Sequence, residues 1–181
     1  MANLKVNPEK YNDNHNNKHG VRQGYKKHNY SNEEATENLI NYCLDKEKMI
    51  NDVFYSYGAP NVRNPAVIAA AYKYVRKYYG QEHDRRMNHF VISFQKEEAD
   101  ELGLEGMQEV VETFVEPIVE DYQLLYAFHE HNPEKIHAHI IFNHTSYTTG
   151  LRHHRSNGFA IREKQRLDDT LESVLEKKRR K

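Results

Sequence analysis

The stretch Ile136-His137-Ala138-His139-Ile140-Ile141-Phe142-Asn143 constrains the fold more than any other part of the chain. Its character alternates with a period of two, the spacing at which successive side chains of a strand leave opposite faces. Ala138, Ile140 and Phe142 point one way and demand an apolar layer to cover them, while His137 and His139 share the other face. A strand of this kind belongs inside a sheet, with helices or a second sheet packed on its apolar side.

The remaining elements can be placed around it. Met87–Gln95 (MNHFVISFQ) reads as a second strand, and Tyr122–His131 as a third, joined to the histidine strand by the turn Asn132-Pro133-Glu134-Lys135. Shorter strands are expected at Asn3–Val6 and at Val53–Tyr57, the latter ended by Gly58. Ser31 and Glu34 have the spacing of a capping box, ahead of Ala35, Leu39, Tyr42 and Cys43 at helical intervals. Asn64-Pro65 opens a second helix with the inward stripe Val67, Ile68, Ala71, Tyr72 and Val75, and Gly80 stops it. An acidic helix over Met107–Glu120 turns Val110, Val111, Phe114, Val115 and Ile118 inward, with Pro117 bending or tightening its end. A last helix runs from Asn157 to Lys177. Helices alternating with strands and closing on a hairpin predict an α+β fold, an antiparallel or mixed central β-sheet with helices packed on it. The domain proper is read as residues 31–181, preceded by a polar arm over residues 1–30 that is rich in Asn, Lys and His.

Composition narrows the partners. Lys and Arg total 26 against 27 Asp and Glu, a net charge of −1, so the chain is not a uniformly basic nucleic-acid binder. Basic residues gather locally in Lys18–Lys27 and Arg152–Arg166, and local patches, not the sum, make phosphate contacts. One cysteine, Cys43, excludes an internal disulfide framework and a multi-cysteine zinc finger, which favours a reducing, cytoplasmic setting. The longest apolar run, Ala66–Ala71, is too short to cross a bilayer, and no charged-then-apolar leader opens the sequence.

Twelve histidines are the unusual feature, and their placement matters more than their number. Two imidazoles at i and i+2 on one strand, with Cα atoms about 7 Å apart, can lean towards one cation. A third ligand must come from a neighbour, and His129 is the natural candidate, with His131 and Glu130 as substitutes. A four-residue loop would pair His131 with Ile136 and aim His129 at the wrong face. An odd loop or a one-residue bulge pairs His129 with His137 or His139 and unites the three. A lone strand histidine is commonly a packed or solvated side chain; a pair on an otherwise apolar strand is costly to bury without partners. Three protein ligands leave coordination positions open, the arrangement of a catalytic site.

The segment His129-Glu130-His131-Asn132-Pro133-Glu134-Lys135-Ile136-His137-Ala138-His139-Ile140-Ile141-Phe142-Asn143 resembles the third motif of conjugative relaxases, in the mobilisation-protein (MobP, VirD2-like) branch of the His-hydrophobic-His (HUH) endonucleases. HFVISFQKEE is similar to the family's central strand, SYTTGLRHHRSN to its post-motif segment, and ENLINYCLDKEK to its first motif, which carries a nucleophilic tyrosine. The first thirty residues are longer and more polar than the family's usual approach to that motif, and the chain is short enough to be the N-terminal domain of a longer protein. The resemblance implies an HUH-type sandwich that nicks and rejoins one DNA strand at the origin of transfer of a plasmid or other mobile element. It implies Tyr42 as nucleophile, forming a 5′-phosphotyrosyl link, and His129, His137 and His139 as ligands of a divalent metal ion. Manganese or magnesium is expected first, with zinc or nickel the alternatives that imidazole ligation suits. Single-stranded DNA is the expected partner, together with accessory relaxosome and coupling proteins in a bacterial cytoplasm, and no membrane insertion is expected.

His89 is a candidate general base, and Lys26, Lys27, Arg152, Arg155 and Arg162 are candidate DNA contacts. His144, His153 and His154 are expected near phosphates or in solvent, and Tyr25 and Tyr30 in the basic arm could stack on bases. Tyr72, Tyr74, Tyr78 and Tyr79 follow a helical pattern expected to pack, and Tyr122 and Tyr126 share a strand face with Phe128. Tyr147, after the histidine strand, is the main rival nucleophile, because replication-initiator relatives place their tyrosine there. Two other functions follow from the alternatives: a rolling-circle replication initiator using Tyr147, or a non-catalytic DNA-binding protein with structural histidines.

Overall fold

The computed structural model describes residues 2–6, 30–32, 34–132, 135–154 and 158–180, with the backbone alone at 6, 131 and 132. Five strands, β1 (Asn3–Val6), β2 (Met49–Tyr57), β3 (Met87–Gln95), β4 (Leu124–Asn132) and β5 (Lys135–Asn143), form one sheet in the order β1-β3-β5-β4-β2. Every neighbouring pair is antiparallel. Four helices, α1 (Ala35–Cys43), α2 (Pro65–Tyr78), α3 (Lys96–Val119) and α4 (Phe159–Arg179), cover it. The expected α+β sandwich is therefore present, with the sheet wholly antiparallel.

The helices divide between the two faces. Phe90, Ile92, Phe94, Leu124, Tyr126, Phe128, Ala138, Ile140 and Phe142 pack with α3 and α4, through Val110, Phe114, Leu167 and Leu171 among others. Burying each such large apolar side chain contributes roughly 1.5–3 kcal/mol, so this layer holds the domain together. On the opposite face, Met87, Leu125, Ala127 and Ile141 meet Leu39, Ile40 and Cys43 of α1 and Ile68 and Tyr72 of α2. That second cluster is smaller. It leaves one end of the face to polar side chains, and the histidines stand there.

Local sequence explains most boundaries. Asn64 caps α2 by accepting from the Val67 amide, and Pro65 sits in its first turn, as expected. The inward stripe of α2 is Ile68, Tyr72 and Arg76, whereas Val67, Tyr74 and Tyr78 are exposed, contrary to the packing expected of them. Arg76 is buried with its guanidinium on Glu82 and Asn143, which is why a cation replaces an apolar residue in that stripe. α1 begins later than expected: Glu34, not Ser31, is its cap position, and Glu34 makes no side-chain cap bond. α3 begins earlier, at Lys96, with a capping box between Gln95 and Glu98, and it kinks at Gly103 (φ 62°, ψ 179°), a conformation natural only to glycine. Pro117 lies within it, in its last turn. β2 is longer than expected because its register shifts between Met49 and Phe54, where Asn51 and Asp52 take φ values of 54° and 58°. This irregularity breaks the alternation and hides the first half of the strand from sequence reading.

β1 pairs with β3, so residues 3–6 of the supposed arm are the edge of the sheet. Tyr30 is buried in the α1/α2 cluster and does not stand on a DNA-facing arm. Tyr25, Lys26 and Lys27 lie outside the described residues, as does Arg155.

Candidate active site

The hairpin of β4 and β5 places the histidines. Its register shifts between Glu130 and Asn132, and this bulge pairs His129 with His137 and Ala127 with His139. The condition for three histidines on one face is thereby met. On the other side of β5, Ser93 pairs with His137 and Val91 with His139, which puts His89 on the same face.

Each imidazole is held by a different neighbour. His129 donates from Nε2 to the Cys43 carbonyl at 2.9 Å, His137 Nδ1 lies 2.9 Å from Ser93 Oγ, and His139 Nδ1 lies 3.0 Å from His89 Nε2. His129 and His139 are buried, with ring centroids 4.5 Å apart, and the rings of His137 and His139 are stacked at 6.3 Å. Among the described residues, no group of three His, Cys, Asp or Glu side chains is closed into a coordination shell. The donor set nevertheless fits a divalent cation of the imidazole-binding kind. Three imidazole rings lie on one face, and each has a nitrogen engaged by the protein, the arrangement that fixes the tautomer and orientation of metal-binding histidines. A cation would take His129 Nδ1, His137 Nε2 and His139 Nε2.

Tyr42 stands over these rings. It lies in the last turn of α1, 36% exposed, with its ring centroid 5.0 Å from that of His139 and 5.6 Å from that of His129. Cys43, the next residue, ties the helix end to the sheet: its carbonyl accepts from His129, and its thiol donates to the His139 carbonyl at 3.5 Å. Burial pushes that thiol up to about 12, so it is an inert packing group. Partial burial also raises the Tyr42 phenol, and the Lys48 ammonium, 5.1 Å from the ring centre, acts against the rise. Lys48 is itself paired with Asp45 across the turn that leads from α1 into β2. The site thus holds a half-exposed phenol, a cation beside it and an imidazole face beneath it.

The other expected residues fall elsewhere. Tyr147 donates from its hydroxyl to the Val119 carbonyl at 3.0 Å, beyond the far end of β5 and roughly 20 Å along the strand from the histidines. Arg152 donates to the carbonyls of His83 and Arg85, so it pins a loop. Arg162 is exposed in the first turn of α4, on the opposite helical layer. His144 is buried against Asn88, and His153 packs among Tyr122, Phe142 and Phe159, so neither stands in solvent as expected. His89 is buried and has both ring nitrogens engaged, by Tyr30 and by His139, which leaves it badly placed to take a proton from Tyr42. Sequence reading missed Ser93 and Lys48. Ser93 was legible, since it lies four residues from His89 on one strand face; Lys48 depends on the α1–β2 turn and had no signal.

The family model of the MobA/VirD2-like relaxase nuclease domain matches residues 42–176. The chain belongs to this family. The matched span begins at Tyr42 itself and contains His89, His129, His137 and His139. The relaxase family nicks DNA in mobilisation, binds single-stranded DNA and generally uses a divalent metal, so the domain is a nuclease of that class. No curated protein matches the chain. Among the described residues of the relaxase domain, no helix is long and apolar enough to cross a membrane.

Proposed function

We propose that this relaxase domain cuts and rejoins one DNA strand at the origin of transfer of a mobile element, through a phosphotyrosyl link on Tyr42. The observation that carries this reading is the contact of the Tyr42 ring with both His129 and His139 on the face that all three histidines share. The Tyr42 oxygen attacks the scissile phosphorus, the 3′ oxygen of the preceding nucleotide leaves with a proton, and the 5′ phosphate stays on the tyrosine. One phosphodiester replaces another, so the bond energy needed for rejoining is kept. A divalent cation held by His129, His137 and His139 would neutralise charge on the phosphoryl oxygens as the attack proceeds. A phenol with an ordinary pKa near 10 needs help to react at neutral pH, and Lys48 supplies a positive charge beside it. Among the expected DNA contacts, exposed Arg162 remains a candidate, and Lys48 joins it as a cation beside the nucleophile.

The replication-initiator reading needs Tyr147, whose distance from the histidines speaks against it. The test is to incubate wild type, Tyr42→Phe and Tyr147→Phe with labelled transfer-origin single strands and manganese. A protein–DNA adduct should form with wild type and Tyr147→Phe and be absent with Tyr42→Phe. An adduct that survives Tyr42→Phe, or a wild type that never forms one, refutes the proposal.

A further inference from the structure

A buried line of hydrogen bonds runs beneath the site, from His139 through His89 to Tyr30. Tyr30 Oη lies 3.2 Å from His89 Nδ1, and His89 Nε2 lies 3.0 Å from His139 Nδ1. The three residues are 2%, 4% and 5% exposed. The outer end is fixed: the Arg86 amide donates to the Tyr30 carbonyl, and the Arg85 guanidinium lies 4.9 Å over the Tyr30 ring. Arg85 in turn donates to the Met87 carbonyl and to Asn88 Oδ1. No part of the nicking step proposed above uses Tyr30 or His89.

A neutral imidazole has one donor and one acceptor nitrogen, so two imidazoles and a phenol in line can be ordered in only two directions. In the first, His139 Nδ1–H donates to His89 Nε2, and His89 Nδ1–H donates to Tyr30 Oη. His139 Nε2 then presents a lone pair to the site. In the second, the Tyr30 hydroxyl donates to His89 Nδ1, His89 Nε2–H donates to His139 Nδ1, and His139 Nε2 carries a proton where a ligand lone pair is needed. A cation can be held only by the first order.

We propose that His89 and Tyr30 are positioning residues that hold His139 in its ligand tautomer and orientation, with His89 as the acceptor behind it and Tyr30 as the acceptor behind His89. This rests on the metal reading above and gives His89 a role other than general base. Its place behind His139 is the one commonly taken by a carboxylate or a backbone carbonyl, whose loss costs 10–100-fold in metal affinity.

The test measures Mn²⁺ binding to the full chain without DNA, by the paramagnetic resonance of free Mn²⁺, and the visible spectrum of the Co²⁺-loaded chain. His139→Ala sets the baseline for lost binding. His89→Ala should weaken Mn²⁺ binding about 10–100-fold and alter the Co²⁺ bands, while His89→Gln, whose Oε1 can accept in place of Nε2, should stay within about threefold of wild type. Tyr30→Phe should fall between wild type and His89→Ala. Should His89→Ala fail to fold, shown by loss of a cooperative melt, the Gln and Phe variants carry the comparison. Unchanged binding in His89→Ala, or binding in His89→Gln as weak as in His89→Ala, overturns the inference and leaves the metal reading intact. Wild-type binding that does not depend on His139 overturns both.

Discussion

Replacing Lys48 by methionine isolates the charge beside the nucleophile while keeping most of the side chain's bulk. The ammonium lies 5.1 Å from the centre of the Tyr42 ring. At that separation a unit charge interacts with a phenolate by about 0.8 kcal/mol in water and about 3 kcal/mol at an effective dielectric of about 20. Lys48 is 35% exposed and already paired with Asp45, so the screened end of the range applies, about 1 kcal/mol. That corresponds to about 0.7 of a pH unit. The sign follows from the charge. A cation favours the phenolate and lowers the phenol's pKa, so its removal raises that pKa and moves the rising limb of the adduct-formation rate to higher pH. Single-turnover adduct formation at saturating strand should therefore be about fivefold slower at neutral pH in Lys48→Met, with the two curves converging at alkaline pH. Lys48→Arg should follow wild type, and the difference should shrink in about 1 M salt, where the screening length is near 3 Å. Superimposable pH curves for Lys48→Met and wild type would refute the reasoning, because the charge would then do nothing for Tyr42.

Three further outcomes are expected. His129→Ala should abolish manganese-dependent adduct formation and also lower stability by about 1–3 kcal/mol, since it strips the buried Cys43 carbonyl of its donor; activity and thermal melting read the two effects separately. Asn143→Ala should cost about 2–4 kcal/mol in denaturant unfolding with little loss of nicking in the folded fraction. Asn143 donates to Tyr72 and Gln123 and accepts from buried Arg76, at the end of β5 away from Tyr42. Gly103→Ala should lower stability by about 1–3 kcal/mol through backbone strain alone, because the nearest atom to the added methyl would be Lys178 Nζ at 3.7 Å. A melting curve unchanged by that substitution would show that the α3 kink is not a strained glycine position.

The readable parts of the fold were those where pattern and packing agree. β3 runs over the expected Met87–Gln95, and α2 starts at the expected Asn64-Pro65, because alternation and capping are local signals that the tertiary structure only reinforces. The hairpin bulge was legible as a condition, since three histidines on one face require it, although nothing in the turn residues singles out its position between Glu130 and Asn132. What stayed hidden was set by distant partners. Arg76 is buried because Glu82 and Asn143 meet it, His153 is half-buried because four aromatic rings pack against it, and Tyr30 is buried because His89 lies beneath it, although Tyr30 closes a polar stretch of sequence. Lys48 became part of the site through the turn after α1, a placement that no residue spacing encodes.

The attachment of Cys43 has a consequence for any strand-transfer cycle run on Tyr42. Its carbonyl and thiol fasten the last turn of α1 to β4 and β5, one peptide bond from the phenol. A 5′ end captured there would be moored to the central sheet, with no swinging arm to carry it. The free 3′ end would have to do the travelling, out of the cleft and back again, and the protein would serve as a fixed berth.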